Sequence, residues 1–181
     1  MLNVMWSTLN YMPIHRLNHA VLYVRDVARS VAFYQDVLGF RVVEDMAELP
    51  GAAFLQAAGS SNDHDLGLFE IGAAAGDSLA GRATVGLYHL AWEVDTLADL
   101  DELARKLITA GALLGSSDHS TTKSLYGKDP DGIEFEIAWI VPADALDDEA
   151  RAGRSLIRPL DLARETTRYG ADTKGGVGVS R

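Results

Sequence analysis

Two stretches of this chain are written to one plan, and that duplication constrains the fold more than any other feature. LNHAVLYVRDVARSVAFYQDVLGF fills positions 17–40 and LYHLAWEVDTLADLDELARKLITAG fills 87–111. In the first, Leu17, His19, Val21 and Tyr23 alternate with Ala20, Leu22 and Val24, the period of a strand. Asp26 then stands as an N-cap before the helical spacing of Val31, Phe33, Tyr34, Val37 and Leu38, and Gly39 stops the helix. In the second, Leu87, His89, Ala91 and Glu93 alternate in the same way. Thr96 and Asp99 form a capping box, Leu97, Leu100, Leu103, Leu107 and Ile108 make the stripe, and Gly111 ends it. Three shorter strand-like runs follow each helix, so each copy reads strand, helix, three strands. A duplicated unit of this kind predicts two modules sharing one architecture.

The Gly- and Ala-rich run GAAAGDSLAGRATVG separates the copies and reads as a linker that begins with a short helix. The expected organisation is an N-terminal arm (1–14), a domain of two modules (15–72 and 86–141, with the linker at 73–85) and a C-terminal extension (142–181). That extension holds one or two short helices interrupted by Pro159 and ends in a loose tail, ADTKGGVGVSR, with too few apolar residues to pack. It is expected to contribute little to chemistry.

Composition removes several function classes. The 26 acidic against 16 basic residues give a net charge of -10, which disfavours nucleic acid and anionic membranes as main partners. The absence of cysteine excludes disulfides and thiol chemistry. No apolar run approaches the roughly 20 residues that span a bilayer, and the first residues do not read as a signal peptide. A cytoplasmic location is the expectation.

Four of the five histidines fall where they make chemical sense together: His19, His64, His89 and His119. His15 has no identifiable partner. His19 and His89 occupy equivalent places in the two copies, and pseudo-twofold symmetry would set them across a shared cavity. Glu136 follows the turn Asp129-Pro130-Asp131-Gly132, on a strand where Glu134 and Glu136 oppose Ile133, Phe135 and Ile137. Either Glu136 faces water on a half-exposed sheet, or it points into a cavity where a carboxylate must be paired or metal-bound. Two imidazoles and one carboxylate are the ligand set of a non-heme Fe(II) centre with open positions.

The paired modules resemble the vicinal oxygen chelate superfamily over residues 15–141. That superfamily includes glyoxalase I, bleomycin- and fosfomycin-resistance proteins and type I extradiol dioxygenases. The fold implied is α+β, two βαβββ modules forming a curved mixed sheet around a central metal cavity. The stretch from Asp118 to Glu136 is sharper. The extradiol signature has a histidine, five to seven residues, an aliphatic residue and a tyrosine, then Asp-Pro-x-Gly two residues later and a glutamate two or three beyond it. Here His119, five residues, Leu125, Tyr126, two residues, Asp129-Pro130-Asp131-Gly132, three residues and Glu136 follow that order, with Ser117 as the one departure.

By that resemblance His19, His89 and Glu136 match the ligands of Fe(II), with Mn(II) as the substitute. Tyr126 matches a tyrosine that hydrogen-bonds substrate, His119 a histidine beside it, and His64 the acid–base histidine. The implied activity is ring cleavage of a catechol-type aromatic diol with O2, a yellow muconic semialdehyde type product, and a homodimer or higher homo-oligomer.

Two other readings use the same fold. A glyoxalase I-like isomerase would add Glu70 to the ligands, hold Ni or Zn, and take glutathione carboxylates with Arg16, Arg25 and Arg41. A non-catalytic drug-binding protein would use Trp92, Trp139, Phe54 and Phe69 as walls. Core packing accounts better for each of those aromatics, and a strand-end carboxylate accounts for Glu70.

Overall fold

The duplication appears as two four-stranded mixed sheets, each with one helix on its back. The structure is a computed structural model that describes residues 14, 16–44, 49–80 and 83–176. Almost all of the N-terminal arm, His15, part of the linker and the last five residues lie outside the described residues.

Module one comprises β1 (Ala20–Val24), α1 (Val27–Asp36), β2 (Arg41–Val42), β3 (Ala52–Gln56) and β4 (Leu66–Glu70). Module two comprises β5 (Leu90–Glu93), α2 (Leu97–Thr109), β6 (Leu113–Asp118), β7 (Thr122–Lys128) and β8 (Glu134–Ile140). The strand orders are equivalent, β1-β4-β3-β2 and β5-β8-β7-β6, with the first pair of each parallel and the rest antiparallel. The helix starts carry the expected caps. Asp26 accepts from Arg29 N–H, and Thr96 and Asp99 complete a reciprocal box. Gly39 and Gly111 take the left-handed backbone that releases the chain from each helix.

Each sheet buries the face that meets its helix. Leu22, Val24, Leu55, Leu66 and Leu68 form the core of module one with Tyr34 and Phe40. Leu97, Leu100, Leu107, Leu125, Phe135, Ile137 and Trp139 form that of module two. The two cores are continuous: Phe33 packs on Phe135 with ring centres 6.0 Å apart, and Phe40 meets Trp92 edge-on at 5.1 Å. Tyr34 O–H donates to Asp129 Oδ2 across the join.

The modules therefore meet through their helix-covered backs. As expected of two βαβββ modules, they form two four-stranded mixed sheets, and the front of β1 is left open, with Val21 51% and Tyr23 71% exposed. Close approach of β7 to β8 needs Gly127, because a Cβ there would drive into the Phe135 ring at 2.5 Å.

After β8 the chain forms a 3-10 turn (Ala143–Ala145), α3 (Asp148–Ala152) and α4 (Leu162–Tyr169), the last packed against α2. The run read as a loose tail is held as far as residue 176. Trp139 Nε1 donates to Thr173 O, Gly175 N–H to Asp95 O and Gly176 N–H to Ile140 O. Backbone hydrogen bonds fix a segment whose composition alone promised no packing. The linker forms a turn at Ala73–Ala74 instead of the expected short helix, and no helix of the described residues is long and apolar enough to cross a membrane.

Candidate active site

Strand register gathers the chemistry of module two on its front. Tyr126 lies opposite Glu136 across β7 and β8, Ser124 opposite Ala138, and Ala91 beside Glu136 across β5 and β8. His89, immediately before β5, brings its Nε2 to 3.0 Å from Glu136 Oε2. The other carboxylate oxygen accepts from Ser124 Oγ–H at 2.5 Å. Both carboxylate oxygens are thus engaged, which is how a half-buried charge is retained on a sheet.

Tyr88 and Tyr126 flank the imidazole, at 4.6 and 6.0 Å between ring centres. Burial, followed by the nearby Glu136 charge, pushes the Tyr126 phenol above its ordinary range, so it stays a protonated donor at neutral pH. Its hydroxyl lies 2.9 Å from His119 Nε2, and it donates there when the His119 proton is on Nδ1.

The front of module one carries the other two imidazoles. His19 and His64 pack with ring centres 4.6 Å apart, and Phe54 meets His64 edge-on at 5.1 Å. Strict alternation through NDHDLGLFE would set His64 on one face with Leu66 and Leu68. Those leucines instead lie in the core, and His64 sits on the opposite face. The reason is the turn before β4, where Asp65 is buried, accepting from Ala57 N–H, Ser60 Oγ and Asn62 Nδ2. Asn62 also donates to Asn18 O, tying the His64 loop to the approach of β1.

His19 Nδ1 faces Asn18 Oδ1 at 2.7 Å and His64 Nδ1 faces Asp63 Oδ2 at 3.1 Å. An oxygen facing Nδ1 favours the tautomer with its proton there, in which Nε2 is the ligand or base nitrogen.

Among the described residues no three His, Asp or Glu converge on one point, so His19 is not gathered with His89 and Glu136 inside the chain. The pair that does form fits a divalent ion. An ion about 2.1 Å from two donors at a right angle holds them about 3.0 Å apart, the separation of His89 Nε2 and Glu136 Oε2. His89 Nδ1 is buried without a partner, so the imidazole's other nitrogen is committed to nothing else in the chain.

Glu70, the fourth ligand of the isomerase reading, accepts from Val27 N–H at the start of α1. Arg25 is committed to Asp131 and Asp77, and Arg41 to Gln56. Trp139 is fully buried in the core, while Phe54 packs edge-on against both His64 and Phe69.

Two neighbours of the His89–Glu136 pair are not among the residues the sequence singles out, Ser124 and Tyr88. Ser124 was legible in principle, since it lies two residues before Tyr126 and so shares its strand face.

Comparison with known proteins agrees with this architecture. The model of the glyoxalase/bleomycin resistance protein/dioxygenase superfamily matches residues 16–137. A catechol-2,3-dioxygenase of Bacillus subtilis (strain 168) is 32% identical over 121 residues, covering 67% of this chain and 40% of that protein. Biphenyl-2,3-diol 1,2-dioxygenase 3 of Rhodococcus globerulus is 36% identical over 125 residues, covering 67% of this chain and 62% of the relative. The chain thus spans less than two thirds of the length of either. A domain of the same superfamily from Frankia sp. EAN1pec superimposes with a TM-score of 0.57 at 25% identity, covering 70% of this chain and 92% of that one. By its matched sequence and its paired βαβββ modules, the chain belongs to the glyoxalase/bleomycin resistance protein/dioxygenase superfamily.

Proposed function

We propose that this chain is an extradiol dioxygenase that opens a catechol-type aromatic ring at an Fe(II) site. The observation that carries the reading is the His89–Glu136 pair at ligand spacing, set beside the Tyr126–His119 hydrogen bond on one strand face. His89, Glu136 and His19 would hold the ion, the two-imidazole, one-carboxylate set that suits non-heme Fe(II) and also accepts Mn(II). Bound there, Fe(II) would supply redox coupling between a chelated diol and O2.

The chain's own groups do the rest. Tyr126, protonated at neutral pH, offers its O–H to a substrate oxygen and exchanges one acceptor, His119, for another. His119 then has Nε2 available beside that oxygen. His64, with its proton on Nδ1, takes the substrate hydroxyl proton at Nε2 and returns it when the ring opens. Tyr88 and Phe54 give apolar walls against which an aromatic diol stacks. The ring carbon–carbon bond beside the diol breaks and both atoms of O2 enter the product.

The outward fronts of the two modules support a homodimer in which a second copy presents His19 and His64 to His89 and Glu136. The isomerase reading gains no support from Glu70, whose Oε2 accepts from Val27 N–H at the start of α1.

Anaerobic loading with Fe(II), followed by 2,3-dihydroxybiphenyl in air, tests the function. Oxygen-dependent yellow product, lost in His19→Ala and His64→Ala, is the expected result. No product with any catechol, together with Ni or Zn binding that weakens in Glu70→Gln, would reverse it. The dimer has its own test: mixing His19→Ala with Glu136→Ala subunits should restore about a quarter of the sites if ligands come from two copies.

A further inference from the structure

The C-terminal extension lies outside the matched superfamily region, yet it reaches the back of the strand whose front carries Tyr126. On β7, Ser124 and Tyr126 face the candidate site, and Lys123 points the other way. Lys123 is fully buried, an expensive location for an ammonium group unless it is paired. Its Nζ donates to Asp118 Oδ1 at 2.5 Å and to Ser120 O at 3.1 Å, and lies 2.8 Å from Glu165 Oε2 of α4. Glu165 is 1% exposed, and the Tyr169 ring lies 5.7 Å beneath the ammonium.

Asp118, Ser120 and Lys123 frame the turn that holds His119. Ser120 has φ of 65°, the one non-glycine residue with positive φ among those described, a conformation that persists only when its surroundings impose it. Those surroundings come largely from the extension. Arg158 pairs with Asp118 through two backbone hydrogen bonds, and Gly153 lies so close to Ser120 that a Cβ would collide with its side chain. Asp118 Oδ1 accepts from Ser120 N–H, and His119 N–H donates to Thr122 O.

We infer that Glu165, through Lys123, is a positioning residue that holds the 118–122 turn so that His119 Nε2 stays against the Tyr126 hydroxyl. Its catalytic meaning rests on the proposed role of the His119–Tyr126 pair, but its structural effect is measurable without turnover. The full chain is labelled with 15N and the imidazole correlations are recorded for wild type, Glu165→Leu and Glu165→Gln. Lys123→Met/Glu165→Leu serves as a fourth protein that removes both buried charges together and so avoids stranding one.

The His119 signal should move from a single fixed tautomer towards a solvent-averaged imidazole in Glu165→Leu and in the double variant. It should stay in place in Glu165→Gln, which retains the length and an acceptor, and His89 should be unaffected throughout. Catechol cleavage at unchanged iron content should fall about tenfold to a hundredfold in kcat/KM in Glu165→Leu and recover in Glu165→Gln. A wild-type His119 signal in folded Glu165→Leu and in the double variant would overturn the inference. A wild type that cleaves no catechol would instead remove the proposed function, while the imidazole shifts still decide the role of Glu165.

Discussion

The two modules share a topology and differ in how they hold their imidazoles. Module one leaves His19 exposed, braced by a neighbouring asparagine and another histidine ring. Module two builds its imidazoles into a connected set, His89 on Glu136, Glu136 on Ser124 and Tyr126 on His119. Its back is covered by the C-terminal extension, whereas module one has no equivalent cover among the described residues. The difference teaches that a duplicated fold need not duplicate a site. One half joins its imidazoles to a carboxylate and a phenol, while the other leaves them packed on each other at its open front.

The sharpest way to break this contrast is to remove the fixed pair. His89→Ala or Glu136→Ala should abolish iron retention and lower turnover by about a thousandfold or more, because an open three-ligand site loses a donor outright. His64→Ala should keep its iron and lose a factor of about 100 to 10,000 in turnover, the usual worth of one acid–base group. Metal content per subunit, measured beside turnover, separates the two. Equal iron loss from both substitutions would erase the distinction between ligand and proton carrier.

Stability probes the same comparison from the cores. Leu107→Ala in module two and Leu55→Ala in module one each empty a fully buried site and should cost about 2–5 kcal/mol. Because Phe33, Leu38 and Trp92 pack against both cores, urea should unfold the two modules in one transition in either variant. Two separated transitions would show that the modules are energetically independent.

A smaller effect is expected for Tyr126→Phe, which keeps the ring against His89 and deletes one hydroxyl. Loss of a hydrogen bond to a charged oxygen is worth about 1.5–3 kcal/mol, so kcat/KM should fall by about tenfold to a hundredfold. Iron content should stay at the wild-type level. If turnover is unchanged, the hydroxyl serves His119 alone.

Much of the fold was legible because local signals agreed with it. Asp26, Thr96 and Asp99 announce their helix starts, and the alternation through β1, β5 and β8 names the buried faces. The pair of His89 with Glu136 follows from alternation once β5 and β8 are neighbours. Strict alternation misplaces His64 because it ends where the strand ends, and a buried Asp65 turns the chain just there. The packing of the extension was not legible for a different reason. Lys123 and Glu165 read in sequence as solvated charges, and only a tertiary contact between residues 42 positions apart makes them a buried pair. The separation of His19 from its expected partners has the same origin, since the way the modules meet is decided by core side chains that pattern alone cannot orient.

The mildest prediction concerns pH and the back of module two. Burial tends to raise the Asp118 carboxyl, but the Lys123 ammonium and the Ser120 N–H outweigh it, so its pKa lies below the ordinary carboxylate value. A depressed folded pKa means a stabilising contribution that is present above the unfolded value, about 3.9, and lost as pH falls through the folded one. Acidification from pH 6 to below 4 should therefore loosen the 118–122 turn. Hydrogen exchange at the Ser120 and Arg158 amides should accelerate relative to the Leu66 and Leu68 amides of module one. Asp118→Asn should remove that extra pH dependence while retaining an acceptor for Ser120 N–H. Acceleration of equal size in both modules would mean that acid acts on the fold as a whole, and the contrast between a braced and an unbraced half would lose its electrostatic basis.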